Sequence, residues 1–101
     1  MELLPKNIRA RIPQLYTTEH LSDPTAQVKF FAPWNHWTWF VTEFDGEDTL
    51  FGWVSGDFPE WGYFSLSELE GVHGPFGLTV ERDVMFKPGK MSVVQEHPNS
   101  V

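Results

Sequence analysis

Apolar residues recur at helical spacing near the start of the chain, at Leu4, Ile8, Ile12 and Leu15, with Lys6, Arg9 and Arg11 on the other faces. Pro5 suits a first turn and Pro13 ends or kinks a helix, so the pattern predicts a helix from about Pro5 to Ile12. Thr17 to Ala26 contains Ser22-Asp23-Pro24 and predicts a loop. From Val28 the period becomes that of extended chain. Val28 to Phe31 predicts a short strand closed by Pro33. Trp37 to Phe44 and Leu50 to Ser55 are rich in aromatic and β-branched residues, and Asp45-Gly46 between them signals a hairpin. Gly56 to Glu60 predicts a second turn, after which Trp61 to Ser65 returns as a strand. Ser65 with Glu68, and Ser67 with Glu70, each fit the capping box, so a short helix is expected there, stopped by Gly71 and Gly74-Pro75. Val84 to Phe86 is expected to be the last strand, and residues 93–101, polar from Gln95 on, a frayed tail.

These elements make an α+β fold in one domain over residues 3–92: an antiparallel β-meander of four to five strands, an N-terminal helix and a short second helix. Alternation along the first long strand puts Trp37, Trp39 and Val41 on one face, Phe40 and Phe44 on the other. Both faces are apolar, so either the strand is covered on both sides or one face is an exposed aromatic surface. Packing is the ordinary role of large aromatic side chains. The alternative is a binding surface, for which Trp34 and Trp61, close to prolines and predicted turns, are the candidates for exposure. A hairpin loop of two or four residues places Trp39 and Trp53 on opposite faces; three residues would unite them.

Composition narrows the chemistry. The absence of cysteine removes disulfides, thiolate metal sites and thiol nucleophiles, and fits a reducing compartment. The beginning of the chain lacks a signal-peptide layout, and the longest uncharged stretch, Phe30 to Thr42, is too short for a membrane span, so a soluble cytoplasmic protein is expected. The net charge is −7, and it is segregated: from Glu43 to Asp83 ten acids face the single Arg82, a balance of −9. Such a segment repels phosphate, which disfavours direct nucleic-acid binding and leaves room for a basic protein partner or a cation.

The candidate chemistry gathers at the acidic hairpin. Glu43, Asp45, Glu47 and Asp48 are hard oxygen donors, yet Asp45-Gly46-Glu47-Asp48 lacks the alternation and distal glutamate of a calcium loop, and aspartate and glycine are what a tight turn requires. Parity places Glu43 on the apolar Trp39/Val41 face, where a carboxylate needs a partner; Arg82 or an N-terminal arginine could supply it. The four histidines form no ligand motif, and His36 is the one within an aromatic-rich turn. No phosphate loop or nucleophile elbow occurs, so no catalytic residue, cofactor or metal ligand is assigned.

The runs TEFDGEDTLFG (42–52), GYFSLSELE (62–70), GPFGL (74–78) and ERD (81–83), with LLPKNIRARIPQLY near the start, resemble a family of small acidic bacterial proteins known only as a domain of unknown function. The resemblance covers roughly residues 3–92. It implies carriage by conjugative plasmids, integrative elements and phages, hence an accessory role, and brings no catalytic residue, cofactor or substrate with it. The expected function is a non-enzymatic module that binds a basic protein partner through Glu43, Asp45, Glu47, Asp48, Trp34 and Trp61. Two alternatives stand beside it: a DNA-mimic inhibitor of restriction or CRISPR-type defence, and a small metal-dependent enzyme using Glu43, Asp45 and His36.

Overall fold

A computed structural model describes residues 2–96. The elements follow in the order α1 (Lys6–Arg9), β1 (Thr25–Ala26), β2 (Val28–Phe31), β3 (Thr38–Phe44), β4 (Thr49–Ser55), β5 (Glu60–Ser65), α2 (Leu66–Glu70), a 3-10 turn (Pro75–Gly77), β6 (Glu81–Arg82), β7 (Gly89–Lys90) and α3 (Met91–Glu96). The main sheet is five-stranded and antiparallel in the order β5-β4-β3-β2-β6, so β2 to β5 form the expected meander. The fold is α+β, with a further two-stranded sheet of β1 and β7.

The first helix is shorter than its periodicity predicts. It ends at Arg9 because the chain must turn to bury Ile12 and to offer the Pro13 carbonyl to the Phe44 amide at 2.9 Å. Val84 to Phe86 is not a strand. The sheet takes Glu81 and Arg82 against Phe31 and Phe30 instead, and Asp83 then closes a turn by accepting from the Met85 amide. Residues 93–96, expected within a frayed tail, are helical instead. Residues 91–96 are helical with Met91 and Val94 buried, and the remainder of the expected tail, 97–101, lies outside the described residues. Asp23 holds this helix, accepting from the Ser92 amide at 2.9 Å and hydroxyl at 2.7 Å.

The hairpin between β3 and β4 carries the feature that sorts side chains between the two sheet faces. Phe44 pairs with Leu50 and Glu43 with Phe51, but one step further Val41 pairs with Gly52, leaving Thr42 as the extra residue of a β-bulge. Residues 45–49, an odd number, separate the partners Phe44 and Leu50; the bulge cancels this, and Trp39 and Trp53 stay on opposite faces. Gly52 is required there, since a Cβ would stand 1.8 Å from the Phe40 carbonyl oxygen.

Two cores result. On one face Phe30, Val41, Phe44 and Leu50 are sealed by Leu3, Leu4, Ile12, Leu66, Leu69 and Val80. Arg82 fastens the N-terminal segment by donating to the Glu2 and Leu3 carbonyls, both at 3.1 Å. On the other face Phe40 is covered by Ala26, Met91 and Val94, with Trp53 and Phe86 against them. Among the described residues that cover ends before Phe51, and the part of the sheet beyond it is where the site lies.

Candidate functional site

Because the bulge doubles one position, the alternation that sets Glu43 beside Trp39 and Val41 fails at Thr42. Glu43 falls on the Phe40 face, and Phe44 moves to the Val41 face, where it joins Leu50 and Phe30. Glu43 is buried, and its partners are not arginines. Oε1 accepts from the Tyr16 amide at 2.9 Å; Oε2 accepts from the Thr18 amide at 2.8 Å and from the Thr18 hydroxyl. Arg82, proposed as its partner, serves the Glu2 and Leu3 carbonyls, and Arg9 stacks 5.5 Å from the Phe44 ring centroid. The carboxylate thus anchors the chain segment before β1 onto the sheet, and it holds Tyr16 at a φ of 70°, a left-handed conformation rare outside glycine.

The anchored segment and the bare part of the sheet enclose a groove of about 450 Å³. One wall is Thr18, Glu19, Leu21, Ser22 and Pro24; the other is Phe51, Trp61 and Tyr63, with Thr42 and Glu43 at the base. The aromatic wall follows from strand pairing: Phe51 faces Tyr63 and Trp53 faces Trp61, and adjacent strands bring like-facing side chains together. Phe51 lies 5.8 Å from Trp61 with rings 10° from parallel, and 4.8 Å from Tyr63; Trp53 meets Trp61 edge-on at 5.5 Å. Trp61 and Tyr63 remain exposed on this wall. The Tyr63 phenol is held above its ordinary pKa, first by its hydrogen bond with Tyr16, then by partial desolvation and by charge repulsion from Tyr16, Glu19 and Glu43.

The acidic turn beside the groove is built for shape. Asp45 Oδ1 accepts from the amides of Glu47 and Asp48 at 2.8 Å and of Thr49 at 3.0 Å, while Gly46 takes a φ of 91°. Asp48 reaches the start of α2, accepting from the Ser65 hydroxyl at 2.6 Å and the Ser67 amide at 2.8 Å. Ser65 in turn accepts from the Glu68 amide at 3.2 Å, the helix cap expected from the sequence. These bonds hold both aspartates below the ordinary carboxylate pKa: the Glu47 amide contributes most at Asp45, the Ser65 hydroxyl most at Asp48. Of the four acids at the hairpin, Glu47 is the one whose side chain points to solvent without a structural task.

The remaining candidates separate. Trp34 is half-buried against the sealed core, its ring so close to Gly74 that a Cβ there would lie 2.4 Å from it. Trp61 lines the groove. His36 sits at the opposite end of β3, 3.1 Å from Asp57, with both side chains exposed. At about 3.3 Å per residue it stands on the order of 20 Å from Glu43, so His36, Glu43 and Asp45 do not share a site. Among the described residues no group of three or more His, Asp or Glu side chains is disposed to hold a metal ion, and no helix is long and apolar enough to cross a membrane. Sequence reasoning passed over Tyr63, Phe51 and Glu19; strand parity carried signal for the first two, while Glu19 gave none because its loop has no period.

Neither the curated proteins nor the solved structures contain a match to this chain. A family profile described as protein of unknown function (DUF2958) matches residues 3–97, nearly the whole of the described structure, and the chain belongs to that family.

Proposed function

We propose that the protein is a non-enzymatic interaction module whose groove receives a lysine or arginine side chain from a basic segment of a partner protein. The observation that carries this reading is the lining of the groove: among the described residues, three aromatic rings and two glutamates with no basic residue. A cation over such rings gains about 0.5–2 kcal/mol depending on desolvation, and Glu19, exposed on the rim, adds a carboxylate within the same cavity. The −9 balance of residues 43–83 supports a basic partner by long-range attraction. An accessory role in a mobile genetic element is the setting that the family resemblance suggests, and the cysteine-free composition fits action in the cytoplasm. The DNA-mimic alternative has less support, because Asp45 and Asp48 spend their carboxylates on the chain's own donors.

The test is titration of a short lysine- and threonine-containing peptide followed by tryptophan fluorescence. Wild type is expected to bind it, more weakly as salt rises. Trp61→Ala and Glu19→Gln, both folded, are expected to weaken binding by roughly tenfold, the equivalent of about 1.4 kcal/mol. Affinity indifferent to salt and to both substitutions would remove the groove as the binding site.

A further inference from the structure

The strand that supplies Trp61 and Tyr63 to the groove is also the terminal strand of the sheet, and among the described residues its outer edge pairs with no other strand. The phase of the β4–β5 ladder fixes which backbone groups lie on that edge. The Leu66 amide donates to the Asp48 carbonyl at 2.9 Å, in register with the pairs that follow. Antiparallel ladders alternate hydrogen-bonded and non-hydrogen-bonded pairs, so Leu50/Phe64, Gly52/Gly62 and Val54/Glu60 are the bonded ones. The amides and carbonyls of Trp61 and Tyr63 therefore point away from β4, outward.

Natural sheets blunt such an edge with lysine, proline, a bulge or shortness. The opposite edge follows that rule: β6 is two residues long and contains Arg82. β5 does not. It runs for six residues, EWGYFS, with regular register against β4, and its only charge, Glu60, and the neighbouring Pro59 stand at its start, leaving Trp61 to Phe64 without either device. Phe58, 82% exposed, and Asp57 precede it in the turn, and Glu60 opens it.

We propose that the outer edge of β5 is a strand-addition site for an extended, basic segment of a partner protein, which pairs antiparallel with Trp61 and Tyr63. This rests on the groove reading and gives the partner its conformation. A residue bonded opposite Trp61 or Tyr63 lies about 5.5 Å away, Cα to Cα, with its side chain on the same face. A lysine or arginine there extends over the aromatic wall toward Glu19, so main-chain bonds supply the docking and the groove reads alternate side chains. Charge selects this occupant over a second copy of the chain, since each copy carries −7 and two such chains repel.

The experiment uses a peptide alternating lysine with threonine and two analogues, one N-methylated at every lysine amide, the other at every threonine amide. With lysines opposite Trp61 and Tyr63, the lysine amides face β5. Methylating them is expected to reduce affinity tenfold or more (roughly one lost charge-free hydrogen bond or two), while methylating the threonine amides leaves it near the parent value. On the protein side, Tyr63→Pro removes an outward N–H that Tyr63→Ala keeps, and proline at such an edge position spares the β4 ladder; the proline variant is expected to bind more weakly than the alanine variant. Equal affinity of both methylated peptides would overturn strand addition and leave the groove reading standing. No binding of the parent peptide by wild type would remove both. Concentration-dependent dimers abolished by Tyr63→Pro would replace the basic partner with a second copy and overturn the proposal.

Discussion

The two faces of the sheet are made from the same kinds of residue and end in different states. On one, Phe30, Val41, Phe44 and Leu50 are closed over by the N-terminal segment and α2. On the other, the cover supplied by α3 reaches Phe40 and stops, and Phe51, Trp61 and Tyr63 stay open to a groove. Aromatic content does not separate a core from a surface here. What separates them is how far the described covering elements extend across each face.

The difference can be broken most forcefully by truncating one ring on each face. Phe30→Ala, at a fully buried position, is expected to cost about 4 kcal/mol in urea unfolding. Trp61→Ala, 40% exposed with ring contacts on one side, is expected to cost about 1 kcal/mol; equal losses would mean that the open face is packed as tightly as the sealed one. Next in size is Glu43→Gln, which keeps the shape but turns a charged acceptor of three bonds into a neutral amide. About 2 kcal/mol of stability should be lost, and hydrogen exchange at the Tyr16 and Thr18 amides should accelerate while the sealed core keeps its protection. The smallest effect is in acid. Asp23, Asp45 and Asp48 have folded pKa values below their ordinary 3.8, so the stability they contribute is complete above that value and is lost as pH falls through the depressed pKa values. Asp45→Asn combined with Asp48→Asn should flatten that acid-side slope in pH-dependent unfolding without altering the midpoint order of the two ring variants.

Much of this architecture could be read from residue order. The meander, the Asp45-Gly46 turn and the Ser65 cap are local devices whose chemistry is complete within a few positions, and each stands where the sequence puts it. The bulge at Thr42 could not be read. It is a relation between strands, accompanied by the close approach of Gly52 to the Phe40 carbonyl across the ladder, and one unpaired residue reverses every parity argument beyond it. Glu43 was therefore singled out rightly as a carboxylate in need of partners, but assigned to the wrong face and the wrong partners. The third helix was missed because six residues carry too little periodicity; its docking on Asp23 is a contact from far along the chain. For the site, Trp61 was legible as an aromatic near a turn, whereas Trp34 shared that signature and is spent on Gly74. The acids of the hairpin were conspicuous by composition, and two of them turn out to serve the turn itself.

The loop that walls the groove is fastened at both ends, by Glu43 to Tyr16 and Thr18 and by Asp23 to Ser92, with the Met91 amide donating to the Pro24 carbonyl at 2.9 Å. Its conformational freedom is therefore surrendered when the chain folds and not when a partner arrives. In the proposed complex, any ordering cost of association would fall on the partner's side. A groove of this kind should discriminate among incoming segments by how cheaply they straighten, so that a stiff, extended segment outcompetes a flexible one bearing the same charges.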